Sequence, residues 1–393
     1  MTPAARTQTA IELLDQIVAA ARDAGASGDV LIQRGFATRR YAGSKDRRAI
    51  RGLIYDAIRL CGERPESGRA AMLALAKRDP DLAATFDGSP YGPAPIGDEP
   101  TAESGVAPAW LVDALAASGI GGDQAAALLG RASLDLRVNT LKAEVGQVRA
   151  ALPEAVPVEG LPAALRLPPD TPIEKSQPYL DGWIEVQDAG SQIVALAAGA
   201  KPGARVVDLC AGGGGKTLAL AAAMDDRGAL LATDADRARL SRLMPRAERA
   251  GATIVETRLL DPGREAEPLA DWTGAADLVL IDAPCSGTGT WRRNPEARWR
   301  LTPARLAKLV ETQARLLDVG AALVKPGGAL VHIVCSLLDA EGAGQAEAFL
   351  ARHLGWAAVP LALPAGTPHG PGMRLTPLSH STDGFFVAKL VRT

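Results

Sequence analysis

The sequence predicts an α/β fold in which a doubly wound parallel sheet follows an all-helical region. Two observations lead to this prediction. From residue 205 onward, short apolar runs alternate with helical stretches, which is the pattern of parallel strands joined by helices. Before residue 134, most apolar residues recur at helical spacing instead. At 393 residues, the chain is long enough for two or three domains.

The N-terminal region is predicted to be a helical domain over residues 1–133. Ile11 and Leu14 recur on one face of a helix, and a second stretch repeats this spacing further along the chain. Glycine, proline, serine and acidic residues dominate from about residue 87 to 107, a composition that indicates a linker.

Residues 134–182 are predicted to form a small α/β unit, which leaves residues 183–393 for the domain with the parallel sheet. Leu134, Leu136 and Val138 alternate with charged residues, as in a half-buried strand. A short helical pattern follows this strand. The fold type therefore changes near residue 134.

The C-terminal domain contains five predicted strands with helices between them. The strands are expected at Val206–Leu209, Leu230–Thr233, Ile254–Thr257, Leu278–Ile281 and Leu330–Val334. The helices are expected at Thr217–Met224, Arg237–Ala250 and Pro303–Val324, the last ended by a Lys-Pro-Gly-Gly turn. Because ligands of such sheets bind at the carboxyl ends of the strands, the chemistry is expected there.

Composition excludes several classes of protein. The chain has 43 basic and 45 acidic residues, a net charge of −2, so overall basicity does not argue for nucleic acid. Its four cysteines form no CxxC pair and its four histidines show no metal spacing, so neither a disulfide framework nor a metal is expected. The sequence shows neither a membrane-spanning stretch nor a secretory signal, and we expect a cytoplasmic protein.

Two segments are locally basic despite the balanced total. Residues 34–51 carry a local charge of +6, from seven basic residues and Asp46, and residues 289–315 carry +5. In the second segment Trp291 and Trp299 stand among arginines, and unpaired nucleotides stack on aromatic faces beside cations. This pattern favours RNA as a partner, although each segment alone could be a solvated surface.

Residues 208–217 read DLCAGGGGKT and join the first strand of the predicted parallel sheet to a helix. Four consecutive glycines let the backbone approach a ligand where Cβ atoms would clash. A P-loop requires glycine where Cys210 stands, and the dinucleotide pattern requires glycine where Thr217 stands. The turn therefore indicates a bulky ligand, but it matches neither the P-loop motif nor the dinucleotide-binding motif.

An acidic residue follows the second strand of this sheet. Asp234 lies 22 residues after Gly212, where a carboxylate can accept hydrogen bonds from both hydroxyls of a ribose. Because the glycine turn lacks these phosphate-binding motifs, a nucleoside ligand points to the adenosyl part of S-adenosylmethionine. Asp261, after the third strand, could contact the same adenosine.

Two thiols follow neighbouring strands of the sheet. Asp282 and Cys285 come directly after the fourth strand, and Cys335 follows the fifth. Either cysteine alone would more often be a small buried hydrophobic residue. Two thiols at strand ends beside a methyl donor instead indicate nucleophilic catalysis.

With these motifs the chain resembles the Sun/Fmu (Nop/Sun) family of RNA cytosine-5 methyltransferases. The strings that carry the resemblance span nearly the whole chain: YAGSKDRRAI, LRVN, DGWIEVQDAGSQ, DLCAGGGGKT, DAPCSGTGTWRRNP, VKPGGALV, CS at 335–336 and STDGFFVAKL. The resemblance implies an N-terminal NusB-like RNA-binding domain, a small intermediate unit and a Rossmann-like class I methyltransferase domain.

The resemblance also assigns site residues. The methyl-donor contacts of the family fall on Cys210, Ala211, Gly212, Gly213, Gly214, Gly215, Lys216, Asp234, Asp261 and Asp282. Its nucleophile falls on Cys335, a choice between the two thiols that the chemistry alone leaves open. This chain departs from the family in having Gly212 and Gly213 for alanine and proline, Val334 for threonine, and a partial match at residues 339–342.

Together these observations predict S-adenosylmethionine-dependent methylation of cytosine C5 in RNA through a covalent adduct between Cys335 and C6. C5 of cytosine is a poor nucleophile until a thiolate adds at C6. Asp282 is expected near N3, and Cys285 is expected to assist product release. We expect a monomer that acts on ribosomal RNA in preference to transfer RNA. The alternatives are a non-catalytic RNA-binding or assembly protein, and a methyltransferase of tRNA, DNA or a small molecule.

Overall fold

The computed structural model describes residues 1–23 and 25–393 and divides the chain into two compact units. The helical unit consists of Met1–Gly130 together with Thr290–Thr302. The sheet unit consists of Arg131–Gly289 and Pro303–Thr393. The three-domain division stays a prediction, but one feature differs from it: a short segment from between two elements of the sheet unit packs with the N-terminal helices.

The helical unit begins with the longest of its N-terminal helices. Thr2 caps this helix by accepting a hydrogen bond from the Ala5 amide at 3.2 Å, and Pro3 occupies the first turn, where its missing N–H is not needed. The helices are α1 (Pro3–Arg22), α2 (Gly28–Thr38), α3 (Ser44–Leu60), α4 (Gly68–Ala76), α5 (Pro80–Ala83), α6 (Ala109–Ala117) and α7 (Gly122–Ala127). α1 packs against α3 and α4, and Leu13, Ile17 and Ile54 are fully buried in the shared core.

The segment Thr290–Thr302 completes this helical unit. The guanidinium of Arg298 is fully buried and donates to the carbonyls of Ile58 at 2.6 Å and Cys61 at 2.8 Å, at the C-terminal end of α3. The Glu296 carboxylate accepts a hydrogen bond from the Gly28 amide at 2.9 Å, at the N-terminal end of α2. The segment thus supplies partners to two helix ends.

This arrangement corrects the interpretation of the Trp-Arg segment as an RNA-stacking surface. Trp291 is fully buried and Trp299 is only 5% exposed, so neither indole face is open to a nucleotide. The Trp299 indole N–H donates to the Cys61 carbonyl at 3.3 Å. The RNA-stacking prediction was wrong because arginine and tryptophan side chains are equally suited to buried polar contacts with helix ends.

The sheet unit opens with a small antiparallel sheet. Its elements are β1 (Leu134–Val138), α8 (Val145–Ala151), β2 (Val156–Val158), β3 (Leu161–Leu167), α9 (Gln177–Leu180) and β4 (Ile184–Val186), with strand order β2-β3-β1-β4. The fourth strand lies beyond the expected boundary at residue 182. Its Glu185 pairs with Arg246 at 2.7 Å and with Arg249, which ties the small sheet to a later helix of the same unit.

The larger sheet of this unit has nine strands. In chain order its elements are α10 (Ala189–Leu196), β5 (Arg205–Asp208), α11 (Gly215–Ala223), β6 (Ala229–Asp234), α12 (Arg237–Leu240), α13 (Leu243–Ala250), β7 (Val255–Leu259), β8 (Ala276–Asp282), α14 (Pro303–Leu323), β9 (Val324–Val334), α15 (Ala343–Arg352), β10 (Trp356–Val359), β11 (Thr367–His369), β12 (Gly372–Leu375), α16 (Pro377–His380) and β13 (Phe385–Arg392). All five predicted strands are present. The helix expected at 237–250 is divided into α12 and α13.

The strand order is β11-β12-β13-β9-β8-β5-β6-β7, with β10 paired to β13. The pairs from β9 to β7 are parallel, whereas every pair that involves β10 to β13 is antiparallel. The sheet is therefore mixed and not mostly parallel as expected. The segment between β12 and β13, residues 376–384, is too short for the crossover that parallel strands need, so these strands run antiparallel.

Both faces of the parallel part are covered with apolar side chains. Val206 and Leu278 lie in one buried cluster, and Val207 and Val279 lie in the other. The predicted turn at 325–328 lies inside β9, where the pairing with β8 shifts from Val324–Ala276 to Ala329–Leu278. Among the helices of the described residues, none has the length and apolar character needed to span a membrane.

Candidate active site

The order of the parallel strands places a crevice between the carboxyl ends of β5 and β8. The chain proceeds from β5 to β6 and β7 on one side and then continues with β8 and β9 on the other. A reversal of this kind is where open α/β sheets bind their ligands. The glycine turn follows β5, and Asp282 ends β8, so both predicted parts of the site lie at this crevice.

The glycine turn has the backbone that its sequence suggests. Gly212 and Gly214 have φ of +56° and +88°, values that side chains with Cβ rarely adopt. The Gly212 amide donates to Asp234 at 2.8 Å, and the Ala211 amide donates to the carbonyl of Thr233 at 2.8 Å. The turn is thus fastened to the end of β6.

Asp208, the last residue of β5, lies beneath the turn and is completely buried. Its Oδ2 accepts a hydrogen bond from the Thr217 hydroxyl at 2.7 Å. Burial raises the pKa of Asp208 to about 7, the Thr217 hydrogen bond opposes this, and the neighbouring charge of Asp282 adds to it. This carboxyl therefore titrates near neutral pH in the folded chain.

Asp234, the predicted ribose contact, lies beside the glycine turn. It ends β6, and its two oxygens accept the amides of Gly212 at 2.8 Å and Asp236 at 2.7 Å. A carboxylate has about four acceptor positions, so further acceptor capacity remains beside these two bonds. The same side chain can shape the turn and receive a ligand hydroxyl.

Lys216 lies against Asp282 across the crevice. Its ammonium nitrogen is 2.6 Å from Asp282 Oδ2, and its side chain is only 8% exposed. Burial lowers the pKa of Lys216, but the carboxylate of Asp282 outweighs burial, and charges on Cys335 and Asp208 add to its effect, so the pKa is above its ordinary value. The glycine turn and the Asp282 loop are therefore joined by a half-buried ion pair.

The two predicted thiols lie together. The Sγ atoms of Cys285 and Cys335 are 3.3 Å apart, and both residues are half-buried. The hydrogen bond with Cys335 raises the pKa of the Cys285 thiol well above its ordinary value, and burial and the charges of Cys335 and Glu341 contribute further. Cys285 is therefore held as a neutral thiol beside Cys335.

Two other predicted site residues differ in their surroundings. Cys210 is half-buried, and burial together with three nearby carboxylates raises the pKa of its thiol well above its ordinary value. Asp261 is exposed in the loop after β7, where its carbonyl accepts the Arg264 amide at 2.9 Å. Asp234 and Asp282 therefore lie close enough to Cys210 to raise its pKa, whereas Asp261 is exposed to solvent.

Sequence reasoning missed a buried polar network behind the thiols. Glu341, Ser336 and Gln313 are fully buried there, and Ser286 joins them. The serine that directly follows each of the two cysteines is a sequence signal of this network. The partners of these serines could not be predicted, because Gln313 and Glu341 follow Ser286 only after a long stretch of chain.

A search for metal ligands gives a negative result within residues 1–23 and 25–393. In that part of the chain no group of three or more histidine, cysteine, aspartate or glutamate side chains is placed to hold a metal ion.

Known proteins resemble the part of the chain that contains the candidate site. The sequence profile of the 16S rRNA methyltransferase RsmB/F family matches residues 195–391. The chain belongs to this family. Membership confirms the resemblance drawn from the motifs and makes S-adenosylmethionine the methyl donor, as expected.

Individual RsmB/F relatives agree with the family assignment. The chain is 40% identical to the probable ribosomal RNA small subunit methyltransferase B of Synechocystis over 271 residues, which is 66% of this chain and 60% of the relative. It is 36% identical to ribosomal RNA small subunit methyltransferase B of Salmonella typhi over 65% of this chain and 59% of the relative. These matches span about three fifths of the length of the relatives.

Solved structures extend the likeness to the whole chain. The crystal structure of PH0851 superposes with a TM-score of 0.77 and 27% identity, and the match covers 99% of both chains. The mixed-sheet Rossmann-like architecture is therefore shared beyond the family profile.

The glycine turn fits the adenosyl cofactor of the RsmB/F family. A Cβ built on Gly215 meets none of the described atoms within 4 Å, so the first turn of α11 opens onto free space. Amides at a helix N-terminus and the Asp234 carboxylate are suited to polar groups of a nucleoside. The residues that would hold the cofactor are the glycine turn and Asp234.

Proposed function

We propose that this chain methylates C5 of cytosine in RNA through a covalent thiol adduct. The observation that supports this most directly is the 3.3 Å separation of Cys285 Sγ and Cys335 Sγ at the ends of adjacent strands. Methyl transfer to an amine, a hydroxyl or a phosphate needs no thiol. An attack on a cytosine ring needs one nucleophile and a second group that helps it to leave.

The chemistry follows from the groups at the crevice. S-adenosylmethionine supplies an electrophilic methyl group. The thiolate of Cys335 adds to C6, and the electron pair of the C5–C6 double bond moves so that C5 bonds the methyl group. The bond between this methyl group and the donor sulfur breaks, its electron pair stays on the sulfur, and S-adenosylhomocysteine leaves. A base then removes the C5 proton, the double bond forms again, and the Cys335 thiolate leaves. A proton shared between the Asp282 carboxyl group and ring N3 stabilises the adduct.

Lys216 keeps Asp282 in place for this role. The half-buried ion pair at 2.6 Å fixes the carboxylate at the end of β8 and links it to the turn that binds the donor. Because the pKa of Lys216 is raised, its ammonium group stays charged at neutral pH. Cys285, a neutral thiol, stands beside the leaving sulfur.

The proposed donor contacts extend from the glycine turn to Asp282. The residues are Cys210, Ala211, Gly212, Gly213, Gly214, Gly215, Lys216, Asp234, Asp261 and Asp282. In this assignment the amides of the glycine turn face the cofactor and Asp234 receives the ribose hydroxyls. Asp261 reaches the adenosine from the loop after β7.

The RNA is ribosomal, and the helical unit acts as a NusB-like RNA-binding domain. The names of the relatives support ribosomal RNA over transfer RNA. The helical unit supports RNA contact because Arg34, Arg40, Lys45 and Arg48 are exposed on it. These cations lie on or between α2 and α3.

Incubation with tritiated methyl donor and cytosine-containing ribosomal RNA tests the proposal. We expect label on C5 of cytosine in digested RNA, and DNA of the same sequence should compete poorly. Label on another atom, or donor binding without transfer, would overturn the proposal and favour a non-catalytic RNA-binding protein.

A further inference from the structure

Glu341 lies in the segment between β9 and α15 and is completely buried. Its carboxylate accepts four hydrogen bonds. Oε1 accepts the Ser286 amide at 2.8 Å and the Gln313 side-chain amide at 3.0 Å. Oε2 accepts the Ser336 hydroxyl at 2.5 Å and the Ser286 hydroxyl. All of its partners are donors, which is the arrangement that a carboxylate satisfies.

These partners belong to both thiol loops. Ser286 directly follows Cys285, and Ser336 directly follows Cys335. The hydroxyls of the two serines also lie 3.1 Å apart. One carboxylate therefore fixes the residue after each thiol, and the sulfur atoms are held by the same two backbones.

Further contacts stiffen the same network. The Gln313 side-chain amide donates to the Pro284 carbonyl at 2.9 Å, immediately before Cys285. Thr288 lies 3.1 Å from the Ser336 hydroxyl and accepts the Leu337 amide at 2.8 Å. The carbonyl of Glu341 contacts a ring nitrogen of His332 at 3.0 Å. The network thus surrounds both thiol loops but does not include the sulfur atoms.

We infer that Glu341 is a positioning residue that sets the separation of the Cys285 and Cys335 thiols. The inference rests on the proposed function for its catalytic consequence, but the separation itself can be measured without turnover. Neutral glutamine at this position keeps one acceptor oxygen and replaces the other with an NH₂ group. The charge that strengthens all four hydrogen bonds is lost, and hydroxyls that now donate would have to turn and accept. The thiols would then no longer be held in one geometry.

Disulfide trapping with diamide measures how often the two sulfur atoms meet. Diamide oxidises a pair of thiols to one disulfide and is itself reduced to the hydrazine. In the full-length protein, mass spectrometry follows the rate of the Cys285–Cys335 crosslink. We expect fast formation in the native chain and at least about tenfold slower formation in Glu341→Gln, because both loops lose their bonds to a charged acceptor.

Control variants separate positioning from general damage. Glu347→Gln makes the same change at an exposed site on α15 and should crosslink at the native rate. Ser336→Ala removes one hydroxyl while the carboxylate keeps its other donors, and should slow crosslinking less than Glu341→Gln. This second variant gives a result even if Glu341→Gln does not fold.

Methylation assays then add the catalytic consequence. Glu341→Gln should lower kcat by about 100-fold, the loss expected from a misplacement of about 1 Å, while the KM for S-adenosylmethionine stays the same. Native-rate crosslinking in both Glu341→Gln and Ser336→Ala would overturn the inference. If the native chain crosslinks as expected but transfers no methyl group, the proposed function fails and the positioning role of Glu341 is judged by crosslinking alone.

Discussion

Cys285 and Cys335 are 3.3 Å apart, and single substitutions can separate their roles. An enzyme that attacks but cannot eliminate accumulates its covalent adduct. Cys285→Ala should therefore trap RNA on the protein, visible as a band that resists denaturation. Cys335→Ala should give neither adduct nor product, and the double variant should behave like Cys335→Ala. Trapping by Cys335→Ala instead would reverse the two assignments.

His332, on β9, makes the stability of the sheet unit depend on pH. Burial lowers its pKa from 6.5 to about 4, and its hydrogen bond to the Glu341 carbonyl only partly opposes this. As pH falls below 6.5, the unfolded chain binds a proton before the folded chain does. The histidine therefore costs stability progressively down to pH 4, where the loss approaches about 3 kcal/mol.

The measurement must separate His332 from Asp208, whose effect has the opposite sign. The pKa of Asp208 in the folded chain, about 7, exceeds its ordinary value of 3.8, so the contribution of Asp208 to the free energy of unfolding falls as pH rises through this range. Urea unfolding of the native chain and His332→Gln at pH 7 and pH 4.5 isolates the histidine. We expect the native chain to lose more stability than the variant; equal losses would contradict the burial of a neutral ring.

At the scale of elements, four exposed cations define the basic surface of the helical unit: Arg34, Arg40, Lys45 and Arg48. Changing these four residues to glutamine should weaken RNA binding and reduce the slope of log affinity against log salt by roughly 0.7–0.9 per lost phosphate contact. Affinity measured from 50 to 200 mM salt tests this.

Arg47 and Arg51, both on α3, provide the control for the basic surface. Arg47 donates to the Ala42 carbonyl at 2.9 Å and stacks over Phe36, and Arg51 pairs with Asp29 at 2.9 Å. Because these two cations already have partners in the helical unit, their change to glutamine should alter the salt slope less per residue. An unchanged slope in the fourfold variant would show that the surface is merely solvated.

The segment Thr290–Thr302 should stabilise the helices with which it packs. Arg298→Ala removes two donors from the carbonyls of Ile58 and Cys61 and leaves a cavity. We expect a loss of about 3 kcal/mol in the free energy of unfolding. Lys308→Ala, at an exposed position of α14, should change stability by less than about 0.5 kcal/mol.

Hydrogen exchange shows where the effect of Arg298→Ala is felt. Amides at the C-terminal end of α3 should lose protection in this variant, while those of β5 and β8 keep it. Unchanged protection in α3 would show that the segment only covers the helix ends without stabilising them.

At the scale of the whole molecule, the methyl donor should stabilise the fold through the glycine turn. A ligand at 100 times its Kd adds about 2.7 kcal/mol to the free energy of unfolding. S-adenosylmethionine should therefore raise the Tm of the native chain, and ATP should not, because the turn lacks a P-loop pattern. Asp234→Ala should need a higher donor concentration for the same shift. Equal calorimetric affinity in this variant would remove Asp234 from the ribose site.

Much of the sheet and the site could be predicted because their signals are local. A strand has a period of two and a helix a period of 3.6, so each parallel strand was visible within a few residues. The glycine turn, Asp234, Asp282 and the two cysteines each follow a strand directly. Since parallel strands share their carboxyl edge, their meeting was predictable, and the structure brings Cys285 and Cys335 into contact.

What only the tertiary structure decided depends on partners that are distant in sequence. Whether Trp299 stacks on RNA or packs on Cys61 is set by a contact across 238 residues, which no local period encodes. Lys216 meets Asp282 across 66 residues, and Glu341 meets Ser286 across 55. The sequence by itself determined the strands, the turn and the reactive groups, because these depend on backbone preferences and residue chemistry. The folded chain determined which charges pair and which carboxylate holds both thiol loops, because burial and hydrogen-bond geometry exist only after packing.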